Sequence, residues 1–298
     1  MEPLSLIVLL LMGTLAGAIN AAVGSGSLLT LPVLLALGIP PGVAVRTNTI
    51  GILFSTIGST YGYRREIAEE KGNLAPLVIV TASCASVGAL LLLASPLQAL
   101  DVLVPLLIVF ALAMVLFQKR LTAALRRGRE RRATPRGAGE GRPAADLAGS
   151  SASDPADADP ADAAVRPTSG RAGERSPYRA PGLIMAMGGA SIYGGYFTAA
   201  QGVLYMGILG IFTGRSMGSV NSIKNLLSLV VNLAAATVYV IAHVVLGVEI
   251  VWLATAAIAV GALLGGYFGA HLAKRMPEWL LRGIIVAVAL VALVRQVL

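Results

Sequence analysis

Ten apolar runs limit how this chain can fold. Several of them are longer than the run of about 18 residues that signals a membrane span. Only 13% of the residues are charged, against about 25% in soluble domains. We therefore expect an all-α polytopic membrane protein, multi-pass in the inner (plasma) membrane with the lipid bilayer around it. The runs cover 4–22, 27–37, 43–63, 74–95, 98–118, 182–199, 202–213, 217–242, 249–271 and 278–297.

The net charge of +8 is concentrated rather than spread. Of 23 basic residues, 13 lie between Lys119 and Arg179, directly after an apolar run. Basic residues beside a span mark the cytoplasmic side of a membrane, so we expect no nucleic-acid partner. The N-terminus enters its first apolar run without the basic segment of a signal peptide, which predicts that this run is retained.

A polar interval at 119–181 separates two membrane regions, 1–118 and 182–298. It is rich in Ala, Arg, Gly, Pro, Asp and Ser and has no apolar periodicity. Because such a segment cannot bury a core, we expect a disordered cytoplasmic linker.

The two membrane regions are related by an internal repeat, at a separation of 176 residues without gaps from Gly13 to Tyr63, and further on Pro96 corresponds to Pro277. A shared register over a whole half, with matching hydropathy, predicts two structurally related repeats. The aligned pairs include Gly13 and Gly189, Gly26 and Gly202, Gly38 and Gly214, and Tyr63 and Tyr239.

The charges around equivalent turns predict that the repeats are inverted. The turn near Pro277 is flanked by Lys274, Arg275 and Arg282, whereas the equivalent turn near Pro96 has no basic residue. The turn near Pro277 is then cytoplasmic and the equivalent turn near Pro96 is external, so one half is inverted relative to the other.

Inversion requires an odd number of crossings in each half. We expect three transmembrane helices per half, preceded by a broken, re-entrant helical hairpin that enters and leaves on one side, with both termini outside. The second arms of these hairpins, 27–37 and 202–213, are only about 16 Å long at 1.5 Å per residue. Eight full spans are the alternative, if each split element crosses completely.

The two helix breaks carry the first candidate site. Inverted repeats with broken helices bind substrate near the bilayer midplane, where half-helix N-termini present N–H groups and positive dipole ends. The breaks at 23–27 and 198–202 would approach each other and bind a small anion, with donors from Ser25, Ser27, Thr198 and Gln201. Packing of small residues is the simpler structural explanation for the same glycines.

The third element of each half supplies a second cluster. It reads Arg46-Thr47-Asn48-Thr49 in the first half and Asn221-Ser222-Ile223-Lys224-Asn225 in the second, with Asn232 eight residues after Lys224. Cations inside a membrane are costly and usually functional, so these would neutralise an anion. Arg46 lies only a turn inside its run, where it could instead extend to the interface.

Other chemistry is not indicated by the sequence. Asp101 and Glu249 fall near the ends of predicted spans, so the carboxylates of a proton or sodium pump are missing. No nucleophile–base set, nucleotide-binding loop or metal cluster is visible, and Cys84 is a single cysteine. We expect neither an enzyme nor a cofactor or metal.

The stretch Gly17-Ala18-Ile19-Asn20-Ala21-Ala22-Val23-Gly24-Ser25-Gly26-Ser27 resembles the opening signature of the TauE/SafE, or sulfite exporter, family of membrane transporters. In the second half, Tyr193-Gly194-Gly195-Tyr196-Phe197, Gln201-Gly202 and Lys224-Asn225 are similar to the repeated signature. The resemblance implies transport of sulfite, sulfoacetate or a related organosulfur anion. Here Ser25, Ser27, Ala200 and Gln201 interrupt the glycines that the family places at the breaks.

We therefore expect a transporter of small anions, with export as the first interpretation. An uptake permease for a sulfur compound or carboxylate, and a non-transporting membrane scaffold, are the alternatives. The sequence is compatible with assembly of the protein into a homo-oligomer. The expected substrate-binding residues are Asn20, Gly24, Ser25, Gly26, Ser27, Arg46, Thr47, Asn48, Thr49, Tyr196, Thr198, Gln201, Gly202, Asn221, Lys224, Asn225 and Asn232.

Overall fold

A computed structural model describes residues 2–70, 74–133 and 177–272 of this chain. Within these ranges the regular structure is helical, and a short 3-10 turn, Pro177–Arg179, precedes the second half. The helices are α1 (Pro3–Ala22), α2 (Ser27–Ala36), α3 (Pro41–Gly62), α4 (Arg64–Glu70), α5 (Ala75–Ala94), α6 (Leu97–Ala133), α7 (Pro181–Phe197), α8 (Gln201–Thr213), α9 (Met217–Leu246) and α10 (Trp252–Leu272).

Local sequence signals explain where several helices begin and end. Pro3, Pro41 and Pro181 open α1, α3 and α7, a position where the missing N–H of proline costs nothing. Ser216 caps α9 by accepting the Ser219 N–H, at 3.3 Å. The helix ends at Gly247, whose φ of +67° is in the left-handed region.

Five of the described helices are long and apolar enough to cross a membrane: α1, α5, the Leu97–Phe117 part of α6, the Gly218–Leu246 part of α9, and the Trp252–Gly269 part of α10. The α3 helix has the length, at 22 residues, but is not among them because of its Arg, Asn, Ser and Thr side chains. With 20 residues, α1 is longer than one arm of the expected re-entrant hairpin needs to be. The α2 helix, with 10 residues, is half as long as α1. The predicted last span, 278–297, and the basic turn near Pro277 lie outside the described residues.

The predicted linker begins with helix. Residues 119–133 continue α6 to Ala133, well beyond the expected end of the span at residue 118. This part of the chain is rich in Leu, Ala and Arg, which have high intrinsic helix propensity. The rest of the predicted linker, up to residue 176, lies outside the described residues.

The helices of the two halves interlock. The first helix of the first half, α1, packs along α10, and the first helix of the second half, α7, packs along α5. The third elements, α3 and α9, pack on each other and on α10 and α5, respectively. Each half therefore buries its first helix against the other half.

Glycines allow these helices to approach at backbone contact. A Cβ added at Gly13 of α1 would lie 2.9 Å from the carbonyl oxygen of Ile258 on α10. On the other side of the molecule, a Cβ at Gly195 of α7 would collide with the carbonyl oxygen of Ala85 on α5. Close packing of this kind is the usual source of helix association in lipid, where no hydrophobic effect operates between helices.

A polar cluster around Glu70 joins the halves beyond the end of α4. The Glu70 carboxylate accepts hydrogen bonds from Tyr178 at 3.2 Å, Arg215 at 3.2 Å and Ser219 at 3.3 Å. Burial first, and then the negative charge of Glu70, raises the pKa of the Tyr178 hydroxyl, so that it stays protonated and donates. The cluster fixes α4 to the start of α9.

Candidate functional site

The centre of the molecule is where the two helix breaks meet. The first break separates α1 from α2 at Gly24, with φ of +82°, and the second separates α7 from α8 at Thr198 and Ala200, with φ of +54° and +58°. Non-glycine residues in this region store strain of order 1–3 kcal/mol, and such strain clusters at functional sites. All three residues are buried.

The tips of the breaks touch directly. The Gly202 N–H donates to the Gly24 carbonyl oxygen at 3.2 Å. A Cβ at Gly24 would lie 2.5 Å from the Gly202 Cα, so neither position has room for a side chain. The predicted approach of the two breaks is thereby confirmed, and it depends on glycine at both contact points.

The end of α1 is capped by side chains of α9. Because the chain turns away at Gly24, the carbonyl oxygens of Asn20 and Ala21 lack their helical N–H partners. The Lys224 ammonium donates to them at 3.0 and 3.4 Å. Asn221 and Asn225 donate their amide N–H groups to Ala21 as well, at 3.4 and 3.3 Å.

Lys224 is fully buried, with 0% of its surface exposed. Both of its hydrogen-bond acceptors are neutral carbonyl oxygens, and among the described residues no carboxylate lies within ion-pair distance of its ammonium. Its charge is offset only by the negative end of the α1 dipole, equivalent to about half an elementary charge.

The end of α7 is capped by two tyrosines. The Tyr239 hydroxyl donates to the Gly195 carbonyl oxygen at 2.8 Å, and the Tyr193 hydroxyl donates to Ala199 at 2.8 Å. At the end of α1 the ammonium of Lys224 is among the donors, so the carbonyl oxygens of the two breaks are capped by different chemical groups. Sequence reasoning left both tyrosines out of the candidate site, although Tyr239 was aligned with Tyr63 in the repeat.

The N-termini of α2 and α8 have no side-chain caps. At these ends Ser25 and Gln201 are buried, and the Ser25 hydroxyl and both polar atoms of the Gln201 amide have no hydrogen-bond partner. The Gln201 amide lies against Gly194, where any side chain would displace it. Buried polar groups are normally hydrogen-bonded, so free groups of this kind can bind a ligand.

The α3 residues contact three places: the second break, α2 and the connector before α10. Thr49 shares a hydrogen bond with Thr198 at 3.1 Å. Asn48 accepts from Thr30 of α2 through Oδ1, and its Nδ2 is buried without a partner.

Arg46 and Thr47 contact the chain just before α10. Arg46 donates to the Glu249 carbonyl oxygen at 3.2 Å. The Thr47 hydroxyl accepts the Val251 N–H at 3.1 Å. The structure therefore gives Arg46 and Thr47 partners in the connector, not in either break.

A stripe of polar residues runs along one face of α9. Asn225, Ser228 and Asn232 are three and four residues apart, which places them on one face of the helix. The Oδ1 atoms of both asparagines and the Ser228 hydroxyl are buried without partners. Sequence reasoning missed Ser228, although its spacing from Asn225 and Asn232 was a usable signal.

The remaining candidates have structural contacts. The Asn20 amide donates to Ser55 at 3.2 Å, and Gly26 packs against the backbone of Ala16. Ser27 is the buried first residue of α2, and the Tyr196 hydroxyl lies 3.0 Å from that of Ser95, away from the breaks. In the described part of the chain, no group of three His, Cys, Asp or Glu side chains could hold a metal ion.

A family model described as "Sulfite exporter TauE/SafE" matches residues 9–295. The chain belongs to the TauE/SafE family. This confirms the resemblance drawn from the stretches around the two breaks, and it makes the protein a membrane transporter.

Among curated proteins, this TauE/SafE chain is 25% identical to the "Probable membrane transporter protein YfcA" of Escherichia coli strain K12, over 97% of this chain and 88% of that protein. It is 32% identical to the "Probable membrane transporter protein ORF9" of a Sinorhizobium species, over 32% of this chain and 36% of that protein. No solved structure matches it. The family is one of transporters rather than enzymes.

Proposed function

We propose that this protein moves small anions across the inner (plasma) membrane, with sulfite, sulfoacetate or a related organosulfur anion as cargo. The observation that carries the proposal is the pair of uncapped helix N-termini at the breaks, with Ser25 and Gln201 buried and unpartnered beside them. N–H groups at a helix N-terminus together with free hydroxyl and amide donors form an anion-binding environment.

The charge distribution supports an anion over a cation. The N-termini of α2 and α8 each contribute about half a positive charge, and the ends of α1 and α7 each contribute about half a negative charge. The ammonium of Lys224 offsets the negative end of α1, so the positive ends of α2 and α8 outweigh the remaining negative end of α7. In a low-dielectric interior this charge attracts an anion strongly.

The packing supports the proposal that the halves are inverted repeats. In both halves the first helix packs against the long helix that follows the third element of the opposite half, as α1 does with α10 and α7 with α5. With 10 residues, α2 reaches about 15 Å, half of a bilayer, which suits a re-entrant arm. In the proposed topology, both termini and the connector at 247–251 lie on the external side of the membrane, and the 119–181 linker lies in the cytoplasm.

Export follows from the membrane potential. With the cell interior negative, an anion leaves downhill by about 2.3 kcal/mol per charge per 100 mV. No coupling carboxylate is then required, and no Asp or Glu is among the fully buried polar residues of the described chain.

Flux measurements in proteoliposomes test the proposal. Vesicles are loaded with sulfite or sulfoacetate, and a potassium gradient with valinomycin sets the potential. We expect efflux that accelerates when the lumen is made negative. If the protein instead carries these anions only into the lumen, and only when an ion gradient is supplied, it is an uptake permease.

A single substitution tests whether the helix breaks bind the transported anion. Gln201→Leu removes donors to a charged group, worth about 1.5–3 kcal/mol, so flux at low substrate concentration should fall by about 10- to 100-fold. Thr237→Val is the control, because Thr237 is exposed and bonds only to its own helix. Flux that is unchanged by Gln201→Leu would remove the breaks from the substrate path.

A further inference from the structure

We infer that the ammonium of Lys224 occupies a built-in site for a monovalent cation at the carbonyl end of α1, as a tethered substitute for a free ion such as Na⁺. The inference rests on the proposed function only where it concerns flux, because the cation site itself is defined by contacts within the protein. It assigns Lys224 a place in the first break as a positioning residue, not as a direct ligand of the anion.

The first argument is geometric. In transporters with broken helices, the carbonyl end of a half-helix and unwound backbone carbonyls are where coupling cations bind. The end of α1 is such a place, with the oxygens of Asn20 and Ala21 freed from helical bonding by the turn at Gly24. Lys224 donates to both of them, at 3.0 and 3.4 Å.

The second argument concerns the walls of the site. Asn225 donates to the Ala21 carbonyl through Nδ2, and its Oδ1 is buried without a partner. That Oδ1 atom does not contact the ammonium, so the two carbonyl oxygens, with the Asn225 amide beside them, define the site. Neutral oxygens are the ligands that hard cations prefer.

The third argument is electrostatic. The acceptors of the Lys224 ammonium are neutral, and within the described residues it has no acidic partner. What balances it is the negative pole of α1, the same pole that would hold a free cation. At the other break, hydroxyls of Tyr193 and Tyr239 satisfy the carbonyl oxygens instead.

A tethered cation has a specific consequence. A free ion enters and leaves with each transport cycle, whereas Lys224 cannot leave, so the first break stays capped throughout. The wild-type protein should then be indifferent to Na⁺. Removal of the side chain should leave a vacant site that small cations can occupy.

The experiment measures thermal unfolding of the purified full-length protein without any anionic substrate. Lys224→Ala is compared in ammonium chloride, sodium chloride and choline chloride at equal ionic strength. We expect ammonium or Na⁺, but not the larger choline, to raise the unfolding midpoint of this variant by at least about 2–4 °C, with saturation. The midpoint of the wild type should not respond to the choice of cation.

Lys224→Met is the matched control, because its side chain fills the same space without a charge. It should be destabilised and should not respond to ammonium or Na⁺. A response in Lys224→Met equal to that in Lys224→Ala would mean that the effect is not at this site, and would overturn the inference.

A measurement on the wild type covers the case in which Lys224→Ala does not fold. If Na⁺ stabilises the wild type relative to choline, or if its anion flux requires Na⁺, the cation site is elsewhere and the inference is wrong. Indifference in both supports it. Absence of any anion flux alongside the expected stability results would count against the proposed function alone.

Discussion

The contact between the two helix breaks leads to the sharpest prediction, the effect of Gly202→Ala. Gly202 has ordinary helical geometry, so alanine introduces no backbone strain. Its Cβ, however, would lie 2.8 Å from the Gly24 carbonyl oxygen and closer still to the Gly24 Cα. These are backbone atoms, which can only move if the two breaks separate.

The cost follows from three terms. Overpacking in a close-packed interior costs about 1–3 kcal/mol. Separation of the tips also weakens the Gly202–Gly24 hydrogen bond, worth about 1 kcal/mol. The better helix propensity of alanine returns up to about 1 kcal/mol. The net loss is about 1–3 kcal/mol, which lowers the unfolding midpoint by roughly 2–5 °C for a chain of this size.

The assay is thermal unfolding of detergent-purified protein, followed by size-exclusion chromatography. Gly207→Ala is the matched control in the same helix, because a Cβ there meets no atom within 4 Å. It should be neutral or slightly stabilising. Equal midpoints for Gly202→Ala and Gly207→Ala would refute the reasoning that the breaks are held together by backbone contact.

Three further changes test other contacts, each by thermal unfolding. Gly195→Ala places a Cβ against the Ala85 carbonyl oxygen and should be at least as destabilising as Gly202→Ala; retention of the wild-type midpoint would contradict the packing of α5 on α7. Tyr239→Phe leaves the buried Gly195 carbonyl without a donor and should cost about 1–3 kcal/mol; no loss would mean that water reaches this carbonyl. Glu70→Gln should cost less than about 1 kcal/mol, because the partner Arg215 is 49% exposed, and a much larger loss would show a cooperative network.

The positions of the breaks could be predicted because they depend on local sequence. A run of Gly and Ser at 24–27 cannot continue a helix reliably, and the repeat transferred the same expectation to 198–202, although Thr198 and Ala200 adopt positive φ without being glycine. The approach of the breaks followed from placing both at the same depth, whereas the contact of Gly24 with Gly202 did not, because the repeat pairs Gly26 with Gly202.

The partners of the charged side chains could not be predicted. Lys224 and Ala21 are far apart in sequence, and nothing local indicates that the ammonium faces the carbonyl end of α1. A lysine in an apolar helix has the same sequence pattern whether it binds an anion or caps a helix. Tyr239 and Tyr193 were missed for a related reason, since an aromatic residue on an apolar helix usually packs in a core.

The pairing of α1 with α10 and of α7 with α5 has a consequence for biogenesis. The α1 helix finds its main packing surface only after the roughly 230 residues that separate it from α10 have been made. Until then its glycine face, including Gly13 and Gly17, is turned toward lipid or toward provisional neighbours. Such long-range pairing slows folding and lengthens exposure to quality control. The membrane must hold an unfinished first half until α10 has been inserted.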